Sequence, residues 1–173
     1  VLGHTDFYGL RIQVNSDVLV PRPETEVVVE QGLALIEEVE APRIFDAGTG
    51  SGCIACALKH ERPDADVAAG DVSHAAPNMA RTNGRALGLD VAWQAFDMAA
   101  SGAAEVVPGS LDLLISNPPY IPDHEADTLS GVVRDYDPPE ALFTGPDALR
   151  FYRALANWGY KVVRPGGHLL VET

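Results

Sequence analysis

Short apolar runs, each closed by a small or polar residue, punctuate this chain. Residues 43–47, 91–96 and 111–115 have the length and composition of buried strands, and 66–70 and 168–172 repeat the pattern more weakly. Between them lie helix-like segments at 23–39, from Cys53 onward, at 74–87 and at 148–163, the last with Leu149, Tyr152, Leu155 and Ala156 at helical spacing. Strands alternating with helices predict an α/β fold, doubly wound around a parallel sheet. The first residues differ. Residues 7–14 partly alternate apolar and polar, residues 15–17 (Asn-Ser-Asp) are a turn signal, and 18–20 are apolar, which predicts a hairpin between 7–14 and 18–20. The chain thus divides into a linker and β-hairpin at 1–20 and a cofactor-binding domain at 21–173.

Two strand ends carry the chemistry. In open α/β sheets, ligands bind beyond the carboxyl ends of the strands. The strand at 111–115 runs into Ser116, Asn117, Pro118, Pro119 and Tyr120. Asn117 offers a side-chain oxygen and an NH2 group, the prolines hold a rigid extended turn with free carbonyls, and Tyr120 adds a flat ring. Together they suit a planar group bearing NH2, an amide or an adenine amino group. Taken alone, Asn-Pro also marks ordinary turns.

The strand at 43–47 runs into Gly48, Thr49, Gly50, Ser51 and Gly52, with a helix beginning near Cys53. A glycine-rich turn between strand and helix lets a ligand approach the backbone. Its Gly-x-Gly-x-Gly spacing departs from the dinucleotide fingerprint, Gly-x-Gly-x-x-Gly. Asp46, two residues before the first glycine, suits a cation, and S-adenosylmethionine carries an α-ammonium group and a sulfonium without a pyrophosphate. Asp71 lies 19 residues beyond Gly52, near the offset of a ribose-binding acid. Asp97 and Met98 follow the third strand, where an acid and an apolar neighbour could meet an adenine amino group and ring. The segment 21–26, Pro-Arg-Pro-Glu-Thr-Glu, has acids suited to a helix start, yet two prolines around an arginine exceed what a cap needs. Residues 121–147, with six prolines and glycines, read as a substrate-side lid.

Composition narrows the field. At 173 residues the chain is about one domain, and 46% hydrophobic residues suffice for one core. A net charge of −13 argues against broad binding to nucleic acid or anionic membrane. No stretch is apolar enough to span a membrane, and no signal-peptide pattern is present. A start at Val1 rather than Met reads as a trimmed chain. Cys53 and Cys56 sit among Ile54, Ala55, Ala57 and Leu58 and read as buried thiols rather than a redox pair. The five histidines are dispersed, without metal-ligand spacing.

In this order, the segments at 21–26, 46–52 (Asp-Ala-Gly-Thr-Gly-Ser-Gly) and 117–120 (Asn-Pro-Pro-Tyr) resemble the bacterial peptide chain release factor glutamine methyltransferases. Leu2-Gly3 and Phe7-Tyr8-Gly9 are similar to that family's linker and hairpin, and the resemblance covers nearly the whole chain. It implies a Rossmann-like class I methyltransferase sheet, S-adenosylmethionine as cofactor, and methylation of the glutamine in a release factor's Gly-Gly-Gln loop by a cytoplasmic enzyme. It also implies a helical domain before Val1 and a final antiparallel strand pair after Thr173, both absent from this sequence. In this reading Asn117, Pro118 and Tyr120 are catalytic, and Pro119 joins them in binding substrate. The cofactor would lie on Asp46, 48–52, Asp71, Asp97, Met98 and Asn117. An amide nitrogen is a poor nucleophile, so orientation by the Asn117 oxygen and the Pro118 carbonyl would carry the reaction. Three alternatives use the same turn: an adenine amino-methyltransferase on DNA or RNA, a ribosomal-protein glutamine methyltransferase, and a cofactor-binding module without catalysis.

Overall fold

In the computed structural model, which describes residues 3–73, 75–100, 111–128 and 137–173, five parallel strands form one sheet with helices on both faces. A two-stranded hairpin, β1 (His4–Phe7) and β2 (Leu10–Gln13), precedes α1 (Pro23–Leu35). The sheet is built from β3 (Arg43–Ala47), β4 (Asp66–Asp71), β5 (Ala92–Ala95), β6 (Leu111–Ser116) and β7 (Val163–Val171), in the order β5-β4-β3-β6-β7. Helices α2 (Cys53–Glu61) and α3 (Ala76–Leu87) join the first three strands. After β6 come a 3-10 helix (Asp123–Thr128), the one-turn α4 (Pro139–Leu142) and α5 (Arg150–Val162).

The alternation along each strand builds two cores. Ile44, Leu113 and Ile115 face the hairpin, α1, α2 and α3, while Phe45, Leu114 and Phe96 face Leu155, Trp158 and Val162 of α5. On the α5 side, Phe45 meets Phe96 and Trp158 edge-on at 5.0 and 5.2 Å, the geometry the ring quadrupoles favour. On the other side, buried Asn83 of α3 accepts from the Gln13 N–H at 2.8 Å and donates to the carbonyls of Gln13 and Ser51. One side chain therefore ties the hairpin to the glycine turn. Cys53 and Cys56 are free and buried, and burial pushes both thiols up to about 12.

Three boundaries differ from the sequence expectation. The hairpin turns at Tyr8-Gly9, inside the run read as a single strand, and 18–20 form no strand. Both turn residues have positive φ, 49° and 74°, the two-residue geometry that matches strand twist. Tyr8 tolerates it because its N–H donates to Glu26 Oε1 at 2.7 Å. Helix α1 stops at Leu35 rather than near 39. There the Arg62 guanidinium captures the carbonyls of Ile36 and Val39, at 2.7 and 2.6 Å, and the acids Glu37, Glu38 and Glu40 would oppose the helix dipole. Residues 164–167, expected as a turn before the last strand, lie within β7 as an irregularity. Val163 pairs with Leu111 and His168 with Leu113, so β7 takes five steps where β6 takes two. The expected loop at 99–110 falls mostly outside the described residues, as do His74 and the middle of the expected lid, 129–136. The described part of that lid is partly structured, with the 3-10 helix, α4 and a bridge between Ile121 and Phe143.

The β7 irregularity depends on Gly167. A Cβ there would sit 2.8 Å from the Leu111 carbonyl oxygen and 2.9 Å from that of Asp112, and strand backbone cannot swing aside. Gly167→Ala should destabilise the fold by about 1–3 kcal/mol, the usual cost of overpacking, measured as a lowered urea midpoint; an unchanged midpoint would show that β7 can re-register.

Candidate functional site

An open cleft lies across the carboxyl ends of β3, β4, β5 and β6. It follows from the topology. The chain winds from β3 to β4 and β5 on one side, then returns to β6 and β7 on the other, and the crevice forms where the winding reverses.

The turn after β3 forms the floor. Gly48, Gly50 and Gly52 all have positive φ, 75°, 53° and 81°, a conformation glycine adopts without penalty. Gly52 also has no room for a side chain, because a Cβ would lie 2.9 Å from both Ala80 Cβ and the Trp93 ring. The N–H groups of Gly48 and Thr49 both reach the Gly70 carbonyl, at 2.8 and 3.1 Å. Gly48, Thr49, Gly50 and Ser51 line the cleft; Gly52 stands behind them as the N-cap of α2.

Asp46 lies beneath this turn, off the cleft wall. It is fully buried, its Oδ2 accepts the Thr49 hydroxyl at 2.6 Å, and its Oδ1 is buried with no hydrogen-bond partner among the described residues. Burial dominates and pushes its carboxyl up to about 7, with the Thr49 bond pulling the other way. Asp71, the last residue of β4, lines the cleft and braces the turn. Its Oδ2 accepts from the Gly50 N–H at 2.9 Å and its Oδ1 from the Ser73 N–H at 3.0 Å. Burial raises its carboxyl above the ordinary value, and the backbone bonds from Gly50 and Ser73 oppose the rise.

Asp97 and Met98 line the same cleft after β5. Val72 joins them, a 58% exposed apolar side chain; the sequence reading passed it over, although its place after a strand end marks it. Asn117 and Pro119 complete the wall after β6, while Pro118 is buried and Tyr120, 48% exposed, stands outside. Asn117 is held by its amide, Nδ2 donating to Thr25 Oγ1 at 3.1 Å. The segment 21–26 is thereby drawn in: Pro21, Arg22 and Thr25 line the cleft, and Arg22 pairs with nearly buried Asp137 at 2.6 Å. Thr25 and Asp137 were not singled out from the sequence. The described walls carry four carboxylates, from Asp17, Asp71, Asp97 and Glu140, against the one guanidinium of Arg22, itself paired. Such a cleft favours a cationic ligand over a phosphate-rich one. Among the described residues no group of His, Cys, Asp and Glu is placed to hold a metal, and no helix is long and apolar enough to cross a membrane.

The family model described as methyltransferase small domain matches residues 28–134, more than half of the chain. The chain belongs to this family. Within the methyltransferase small domain group, a release factor glutamine methyltransferase of Bacteroides thetaiotaomicron is 40% identical over 174 residues, covering 99% of this chain and 61% of that protein. One of Bradyrhizobium diazoefficiens is 45% identical over 175 residues, covering 99% and 58%. The chain thus spans about three fifths of these relatives. Solved structures share the fold at low identity. The type I restriction-modification system methyltransferase subunit of Streptococcus thermophilus superposes with a TM-score of 0.63 at 20% identity, over 90% of this chain and 34% of that one. A Thiobacillus denitrificans S-adenosylmethionine-dependent methyltransferase, solved with S-adenosyl-L-homocysteine, gives 0.51 at 19%, over 87% and 48%.

Asp46 ties this methyltransferase domain's stability to pH. Its folded carboxyl titrates near 7 and its unfolded one near 3.8, so between those values the folded state holds the extra proton. Stability from this group is full below about pH 4 and is lost as pH rises through 7. Asp46→Asn keeps the acceptor for Thr49 without the titration. Relative to wild type, the variant should gain stability steadily from pH 4 to 7.5 in urea titrations; a constant difference would place the ionisation elsewhere.

Proposed function

We propose that this chain is the catalytic domain of an S-adenosylmethionine-dependent enzyme that methylates a glutamine side-chain amide in a peptide chain release factor, in the cytoplasm where translation terminates. The observation that carries the reading is Asn117 on the cleft wall with its NH2 held by Thr25, which leaves Oδ1 to accept from a ligand N–H. The acidic cleft supports the cofactor: in this reading Asp71 accepts from ribose hydroxyls, Val72 and Met98 meet the faces of an adenine ring, Asp97 meets its amino group, and the turn at 48–51 lies along the amino-acid portion, all of them residues that line the cleft. Asp46 acts from below, by holding Thr49. The names of the Bacteroides thetaiotaomicron and Bradyrhizobium diazoefficiens relatives support the choice of substrate.

When bound, S-adenosylmethionine supplies an electrophilic methyl group on its sulfonium. The chain's own part is orientation. Asn117 Oδ1 and the Pro118 carbonyl accept the two N–H bonds of the target amide, turning the nitrogen toward the methyl group. Pro119 stiffens the turn, and the exposed Tyr120, outside the cleft wall, is left to meet the incoming substrate chain. Fixed placement in attack geometry contributes much of such a rate enhancement. Both hydrogen bonds strengthen as the nitrogen gains positive charge. The proton leaves after transfer, so no strong base is required beforehand.

Mass spectrometry of a release factor incubated with labelled cofactor and the full-length protein tests the reading; label on a glutamine supports it, and label on an adenine of added nucleic acid, or none, would overturn it. Asn117→Ala should lower turnover by roughly 10²-fold or more with cofactor affinity intact, and Asn117→Asp should fail as badly, because it lacks the NH2 that Thr25 holds. Asp71→Ala should weaken cofactor binding by on the order of 1–3 kcal/mol, read by calorimetry, and unchanged affinity would remove Asp71 from the ribose site.

A further inference from the structure

The strand register places one more carboxylate beside the catalytic turn. Val171 pairs with Ser116, and the Glu172 N–H donates to the Ser116 carbonyl at 3.0 Å, so Glu172 stands next to Asn117 across two strand ends. The side chains of Thr25 and Asn117 both lie against the Glu172 carboxylate, and Asn117 Nδ2 donates to Thr25 Oγ1 at 3.1 Å. Three side chains from α1, β6 and β7 thus close on one another. Thr25 is 2% exposed, and Glu172 Oε2 is buried, so water reaches only part of the cluster. The Glu172 main chain is itself held, its carbonyl accepting the Tyr152 hydroxyl at 3.2 Å.

We propose that Glu172 and Thr25 are positioning residues for Asn117, fixing its amide so that Oδ1 faces the substrate and polarising that oxygen as an acceptor. The inference rests on the function proposed above. An Asn side chain has two near-equivalent orientations, and only donors and acceptors around it choose between them. A carboxylate and a hydroxyl that accept leave no place for Oδ1, so the NH2 turns inward and the oxygen outward. A negative charge beside the NH2, partly shielded from water, then draws electron density toward Oδ1, strengthening its bond to the target N–H. The carboxylate also opposes the positive charge that grows on the methylated nitrogen. The arrangement explains why Pro-Arg-Pro-Glu-Thr-Glu carries a threonine one helical step inside its acids: Thr25 serves the active site rather than the cap.

The groups facing Glu172 are Glu24 on α1, Tyr152 on α5, and the uncharged Thr25 and Asn117. Burial raises its carboxyl, Glu24 adds to the rise, and the neighbouring Thr25 and Asn117 side chains oppose it. Protonation removes the charge and an acceptor, so the hold on Asn117 weakens as pH falls through that raised value.

The test combines kinetics with nuclear magnetic resonance of the Asn117 side-chain amide in the full-length protein. Glu172→Gln and Thr25→Val should each lower kcat by about 10–100-fold while KM and cofactor affinity stay within about 2-fold, Thr25→Ser should recover most of the loss, and the wild-type Asn117 amide signals should move with pH while those of Glu172→Gln do not. Wild-type kcat in Glu172→Gln, or wild-type amide signals that ignore pH, would overturn the proposal. Should a variant fail to fold, the wild-type pH titration decides alone. A wild type that transfers no methyl to glutamine but shows the titrating amide would overturn the function and leave the positioning network standing.

Discussion

Because β3 to β7 all run parallel, every carboxyl end opens on the same side of the molecule. Everything else follows from that constraint. A parallel sheet needs a crossover for each strand, the crossovers put helices on both faces, and the loops leaving the strand ends have one rim to share. Gly48, Val72, Met98, Asn117 and Glu172 are remote in sequence, yet each lies one or two residues past a strand end or in the turn that follows it. Burial on both faces fixes the register and hence the spacing of these side chains. The rim is a scaffold whose precision comes from the core beneath it, which includes the Phe45, Phe96 and Trp158 rings.

The start of α1 acts as the clasp. Within five residues it pairs Arg22 with Asp137, receives the Asn117 amide on Thr25, and accepts the Tyr8 N–H on Glu26. These bonds reach three separate parts of the chain: Asp137 after β6, the Asn-Pro-Pro-Tyr turn and the hairpin. The Arg22–Asp137 pair is half exposed on the arginine side, so it contributes little stability by itself. Its importance is geometric, since it ties Asp137, next to the cleft-lining Pro138, to the start of α1.

The sheet was legible in the sequence because buried parallel strands are short, uniform apolar runs closed by small or polar residues, and the glycine turn and Asn-Pro-Pro-Tyr stand out by composition. What escaped was tertiary in origin. Nothing local marks Tyr8-Gly9 as the hairpin turn, since Tyr8 holds its positive φ through Glu26, 18 residues away. The end of α1 is set by Arg62, 26 residues beyond the carbonyl it captures. Asp46 reads like a ligand acid from its position, yet the fold sinks it under the turn, where it acts on Thr49 instead. Glu172 could have been found by the rule that exposes the other site residues, because it follows a strand that neighbours β6, but that neighbour relation is a product of topology.

The two cysteines give this architecture an incidental property. With both thiols pushed to about 12 and packed between α2 and the sheet, almost no thiolate exists at neutral pH, and the thiolate is the reactive form. Alkylating and oxidising agents therefore react slowly while α2 is seated. The moment that helix lifts, two sulfurs three residues apart become available together, so the onset of thiol labelling clocks the opening of the very segment whose N-terminus floors the cleft.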